Sequence, residues 1–147
     1  MPKTIHDPHE SLIFLTNRVG RLLATNVRRA MHDPDAQKLV PHLGLLVDLW
    51  MHDGVRQQDL AVSVIKDKGA IARSLDHLEK ENLVIRQPDA HDKRNKRIFL
   101  TPKGKGLREE FMPVSWQVQN EAQEGISEDE LAICKKVLNR MYTNLMS

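Results

Sequence analysis

The sequence predicts a mainly α-helical fold with one small β-hairpin, and three observations carry that prediction. Apolar residues recur at spacings of three and four along most of the chain, the period of helices with one buried face. Only residues 83–104 have the form of paired strands: the apolar runs 83–85 and 98–100 flank a turn rich in cations. In that turn Lys93, Arg94, Lys96 and Arg97 crowd into five residues, so its tip has little to bury and much to offer a polyanion.

Taken in order, Asp7, Pro8 and Glu10 stand where the N-cap, N1 and N3 positions of a first helix belong. Leu12, Leu15, Val19 and Leu22 then form one apolar stripe, and the helix is expected to run to about Met31, before a turn at 32–35. That length exceeds what one small lobe needs. Residues 41–52 are mostly apolar and predict a helix buried on most sides, ending at Asp53 and Gly54. A short helix over 56–64 turns Leu60, Ala61 and Val64 inward. Asp67 is the N-cap of the next, which buries Ile71, Leu75 and Leu78 at i, i+4 and i+7. Its opposite face presents Lys66, Ala70, Arg73 and His77. Two helices joined by a tight turn, the second apolar behind and cationic in front, make a helix-turn-helix, and the hairpin after it makes a wing.

Beyond the hairpin, Thr101 and Pro102 cap a helix that runs towards Gly125 and is expected to bend at Pro113, where a backbone donor is missing. Ser127 and Glu130 form a capping box for the last helix. Leu131, Cys134, Leu138, Met141 and Leu145 follow at spacings of three and four, an a/d seam two heptads long. The expected architecture is a winged helix-turn-helix lobe over 40–108, flanked by dimerisation helices in 1–33 and 109–147.

Composition narrows the function classes. The chain has 147 residues, 40% hydrophobic and 29% charged, with only three Phe, two Trp and one Tyr, so aliphatic side chains must fill the core. No apolar run approaches the roughly 20 residues that span a bilayer, and the first residues lack the apolar stretch of a signal peptide, so a cytoplasmic protein with no membrane role is expected. The single cysteine, Cys134, leaves no internal disulfide; on the seam of the last helix its expected fate is burial and inertness. Charge is unevenly spread. Residues 66–108 hold 12 Lys/Arg against 6 Asp/Glu, net +6, while the remainder has 10 against 14, net −4. One third of the chain thus carries the positive field expected of a nucleic-acid site. A nucleophile elbow, a phosphate-cradling glycine loop and an HExxH pattern are all lacking, so no enzyme is expected. His6 and His9, or His42 and His52, do not have zinc spacing, and neither a metal nor another cofactor is expected.

The order of elements resembles the multiple antibiotic resistance regulator (MarR) family of bacterial winged-helix transcription factors, and the resemblance covers nearly the whole chain. It is carried by Leu60-Ala61, by the pattern Leu75-Asp76-His77-Leu78-Glu79-Lys80-Glu81-Asn82-Leu83-Val84, by Asp92-Lys93-Arg94, and by Leu100-Thr101-Pro102-Lys103-Gly104. It implies a homodimer held by the terminal helices, with Leu12, Leu15, Val19, Leu131, Leu138, Met141 and Leu145 at the interface. It also implies a recognition helix in the major groove, a wing arginine in the minor groove, and repression relieved by a small phenolic or anionic effector or by oxidation. The chain departs from the family at Asn82, where Gly is frequent, and at His91, where Arg is frequent; Asn tolerates a left-handed helix end, and His91 restores the lost charge only at lower pH.

The DNA-binding expectations follow. Arg94 is the minor-groove contact, held by Asp92 through a charge-assisted hydrogen bond. Arg73 faces guanine or phosphate, and the small Gly69, Ala70 and Ser74 let the helix approach the bases. Lys66, Lys68 and His77 meet phosphates, while Lys93, Lys96 and Arg97, with His91, supply unspecific attraction. The partner would be a pseudo-palindromic duplex. By the resemblance Arg18, His42, Trp50 and Trp116 are candidates to bind an aromatic or anionic effector, against a plain core role for both Trp residues. The alternative to a regulator is a protein-interaction winged helix, which would call for an apolar or acidic recognition face.

Overall fold

The computed structural model describes residues 7–147, without the side chain of Val64. Seven α-helices and a small sheet follow the chain: α1 (Leu12–Ala30), α2 (Pro34–Gln37), α3 (Leu43–Met51), β1 (Val55–Arg56), α4 (Gln57–Val64), α5 (Lys68–Lys80), β2 (Val84–Pro88), β3 (Lys96–Leu100), α6 (Pro102–Ala122) and α7 (Glu128–Met146). The sheet is antiparallel in the order β1–β3–β2, with Arg86 opposite Ile98 and Arg56 opposite Arg97. The fold is a winged helix-turn-helix with long helices on either side, as the sequence predicts.

Local chemistry places most boundaries. The Asp67 carboxylate accepts from the Ala70 N–H at 2.7 Å and starts α5. Asn82 ends that helix region at φ +59°, the left-handed conformation an asparagine tolerates. Thr101 opens α6 by accepting from the Gly104 N–H at 3.0 Å, and its hydroxyl donates to Asn82 O at 2.7 Å. Ser127 and Glu130 make the reciprocal capping box of α7.

Three elements differ from expectation. Asp7 caps only a 3-10 turn, Pro8–Glu10; Ser11 caps α1 itself, its hydroxyl accepting from the Phe14 N–H. The turn at 32–35 contains the start of α2, capped by Asp33. The ribbon gains a third strand, β1, too short to show a period: two residues paired with β3. Pro113 sits inside α6, which continues through it.

The core lies under the sheet. Leu46, Leu49, Leu60, Ile71, Leu75, Leu78, Leu83, Ile98 and Phe111 are fully buried, each contributing about 1.5–3 kcal/mol of burial free energy. The three inward residues of α5 are all among them. α3 is buried on one side only, since Val47 and Met51 are exposed. Trp50 belongs to the packing: its indole N–H donates to Gly104 O at 2.9 Å and its ring lies against Phe111. α7 has no buried residue, and Leu138 and Leu145 on it are exposed, as are Leu12 and Val19 on α1. Leu15, Leu131 and Met141 are half-buried. Cys134 is exposed within the single chain, so its expected burial is not provided by the chain's own residues.

Candidate nucleic-acid interface

The α5 helix and the wing form one cationic cleft. A cavity of about 400 Å³ is lined by Gln57, Gln58 and Ala61 of α4, Lys68 and Ile71 of α5, Arg86 of β2, and Arg94, Asn95 and Lys96 at the hairpin tip. No carboxylate lines it. Among the described residues, Lys66, Lys68, Arg73, Lys93, Arg94 and Lys96 make no ion pair, so their charge is available to an outside anion.

The exposed side of α5 carries Gly69 and Arg73. A Cβ on Gly69 would sit 3.3 Å from the Arg73 guanidinium, so the missing side chain leaves Arg73 room to lie along the helix start. Ala70 is half-buried. Ser74 and His77, expected at the front, are turned elsewhere. Ser74 is buried on the core side. His77 is half-buried and its ring stacks on that of His42, centroids 5.0 Å apart and 26° from parallel. The helical period alone could not separate front from flank, because His42, just before α3, packs on the His77 flank of the assigned cationic face. Lys66 precedes α5 rather than lying on it.

The wing tip is built by Asp92. Its carboxylate accepts from the Arg94 backbone N–H at 3.0 Å and from the Asn95 side chain at 3.4 Å. This corrects the expectation that Asp92 clamps the Arg94 guanidinium: it shapes the turn and leaves that guanidinium free. Arg94, His91 and Lys93 are all exposed at the tip. Arg97 is committed to structure, donating to Gly54 O at 2.9 Å and to Asp89 at 3.2 Å, so it is not one of the free cations.

Two ion-pair groups escaped the sequence reading. Arg86 of β2 reaches back to Asp76 and Glu79 of α5, which fixes the wing against the recognition helix. These hydrogen bonds and charges raise its pKa although burial acts against them. Asp89, 3% exposed, accepts from the His91 N–H at 2.9 Å and pairs with Arg97 and Arg56. Pairings between residues 7 to 33 positions apart leave no local signal in the chain.

The effector candidates are not brought together. Arg18 lies over the Phe14 ring, 4.9 Å from its centroid, Trp50 is in the packing, Trp116 is exposed on α6, and His42 stacks on His77. Of the three cavities described, none is lined by two of the four. His6 lies outside the described residues. Among those described, no cluster of three His, Cys, Asp or Glu has metal-binding geometry, and no helix is long and apolar enough to cross a membrane.

Comparison with known proteins agrees with this geometry. The MarR family model matches residues 40–96, from the approach to α3 through the wing. The transcriptional regulator SlyA is 26% identical, with a TM-score of 0.76, over 90% of this chain and 94% of that one. A MarR-family regulator from Listeria monocytogenes complexed with 26mer DNA shares the fold at a TM-score of 0.82 and 21% identity, over 93% of this chain and 90% of that one. The PcaV transcriptional regulator from Streptomyces coelicolor, in complex with its natural ligand, does so at 0.78 and 18%, over 96% and 98%. Residues 40–96 match the MarR family model, and the chain has the winged helix-turn-helix fold of the MarR-family regulators it is similar to.

Proposed function

We propose that the protein is a homodimeric, sequence-specific double-stranded-DNA-binding transcriptional regulator that represses by occluding its operator. The observation that carries this reading is the cleft in which Lys68 of α5 meets Arg94 and Lys96 of the wing, with no carboxylate lining it. A recognition helix offers base contacts, wing cations reach the flanking groove, and unpaired lysines supply the salt-sensitive attraction to phosphate. The adaptor alternative calls for an apolar or acidic face, and this one is cationic.

In this reading Gly69, Ala70 and Arg73 face the major groove, Arg94 enters the minor groove, and Lys66, Lys68, Lys93, Lys96 and His91 meet phosphates. Residues 40–108 are the DNA-binding lobe. The exposed apolar residues of α1 and α7 are the dimer seam, since a helix with no buried residue in its own chain needs another surface to cover its stripe. Cys134, on that helix, would then be covered by the second copy. A small effector would release DNA by favouring a dimer geometry that cannot span both half-sites; that a protein of the same fold is found in complex with a natural ligand supports the existence of such an effector.

Selection of duplexes from a random library tests the proposal. A pseudo-palindrome with half-site centres about one helical turn apart, roughly 34–36 Å, is expected. A pool that shows no enrichment rejects sequence-specific binding.

A further inference from the structure

We propose that Asp89 is a positioning residue that sets DNA selectivity: its single carboxylate anchors the wing root to the sheet and withdraws two guanidinium groups from the DNA-facing field. The inference rests on the DNA-binding reading above.

Asp89 follows the last residue of β2, where the hairpin leaves the sheet. It is 3% exposed, and both carboxylate oxygens and its N–H are engaged. Oδ1 accepts from the His91 N–H at 2.9 Å. Oδ2 accepts from Arg97 Nε at 3.2 Å and lies 3.6 Å from Arg56 Nε. Its own N–H donates to Asn95 O at 2.8 Å, closing the hairpin loop. Arg97 then carries the connection on to Gly54 O. Arg56 and Arg97 are register partners across β1 and β3, and Arg56 is also the residue before α4. One carboxylate therefore joins the base of the tip loop to β3, to β1 and to the start of the helix-turn-helix.

Two consequences follow. The first is geometric. The loop that presents Arg94 is held at its base by Asp89 and at its tip by Asp92, so the angle at which Arg94 approaches a groove depends on both. The second is electrostatic. A guanidinium paired with a buried carboxylate has little left to offer a phosphate, whereas an unpaired one takes phosphate anywhere along a duplex. One of the two guanidinium charges is thereby neutralised, and the wing-tip cations left without an ion pair are Lys93, Arg94 and Lys96. The His91 N–H, followed by the two guanidiniums, holds the Asp89 carboxyl below the usual carboxylate range, so it stays ionised wherever DNA binding is measured.

General electrostatics and positioning predict opposite results for Asp89→Asn. Removing a negative charge near DNA should tighten all binding; loosening the wing should weaken only selective binding. The test compares wild type, Asp89→Asn and Arg97→Gln on the duplex that the wild type selects and on a scrambled duplex, over a salt series. Asp89→Asn is expected to bind the selected duplex about tenfold more weakly and the scrambled one at least as tightly. Its slope of log K against log salt should steepen by about one to two, as Arg56 and Arg97 become phosphate contacts. Arg97→Gln should lose selectivity without the steeper slope, and it carries the test if Asp89→Asn does not fold. A parallel change on both duplexes, or none, overturns the proposal. If the wild type selects no duplex, the DNA-binding reading fails separately, and hydrogen exchange at the His91 amide decides the anchor. Faster exchange in Asp89→Asn supports it and unchanged exchange removes it.

Discussion

Two glycines, two residues apart in α6, should respond in opposite directions to the same substitution. A Cβ on Gly104 would overlap the carbonyl oxygen of Leu83 and come within 3.2 Å of Leu100. That carbonyl cannot easily yield, because it accepts from the Thr101 N–H at 3.0 Å. The start of α6 would have to move away from the sheet. Forced overpacking of this kind costs about 1–3 kcal/mol. The displacement also strains the Thr101 hydroxyl bond to Asn82 O and the Trp50 bond to Gly104 O, each worth about 0.5–1.5 kcal/mol net. Since these bonds lengthen rather than vanish, we expect Gly104→Ala to destabilise by about 2–4 kcal/mol. Gly106 has nothing within 4 Å of the added carbon, and alanine inside a helix is favoured over glycine by about 0.8–1 kcal/mol. Gly106→Ala should therefore stabilise. Urea unfolding followed by fluorescence, with Trp50 beside the perturbed contact, measures both. A loss below about 0.5 kcal/mol in Gly104→Ala, or a loss in Gly106→Ala, would refute the packing argument.

Other outcomes follow from the same contacts. Burial first, then the neighbouring His77 and Lys66, lower the pKa of His42, whose Nδ1 is buried without a hydrogen-bond partner. The folded state thus favours neutral His42, and below about pH 6.5 the unfolded chain binds the extra proton, so stability should fall from pH 7 to pH 5. Melting curves should show a smaller fall for His42→Gln; equal falls would remove His42 as the cause. Arg86→Met releases Asp76 and Glu79 and should cost about 1–3 kcal/mol, read by chemical denaturation, while an unchanged midpoint would show that the wing is held without it. Leu138→Glu places a charge in the proposed seam and should yield monomers by light scattering, with the helix content of the lobe kept; an intact dimer would place the interface elsewhere.

The parts of the fold legible in the sequence were those governed by neighbours along the chain. Asp67, Thr101 and the Ser127–Glu130 pair cap the helices they were expected to cap, and Ile71, Leu75 and Leu78 are inward because the 3.6-residue period fixes a face. Asn82 at φ +59° was legible from its place at a helix end. What was not legible is decided by residues far apart. Arg97 reads as a free cation until Gly54 and Asp89 are folded against it, and Asp89 itself reads as one acid in a basic loop. Ser74 and His77 lie near the edge of the α5 front, where a small rotation decides between groove and core; Ser74 is buried and His77 stacks on His42. The third strand has two residues, too few for any pattern, and exists because β3 supplies its partners. Of the candidate site, the wing tip and Arg73 were recoverable from charge and position, while the Arg86 and Asp89 groups that hold them were not.

The most direct test of the central claim is the affinity of wild type and Arg94→Ala for the selected duplex and its scramble across a salt series. The account predicts tight, selective, steeply salt-dependent binding by wild type, and a loss of about 1–3 kcal/mol on the selected duplex in the variant, with helix content and oligomeric state unchanged. Equal affinity of the two proteins, or equal affinity of wild type for both duplexes, would contradict it.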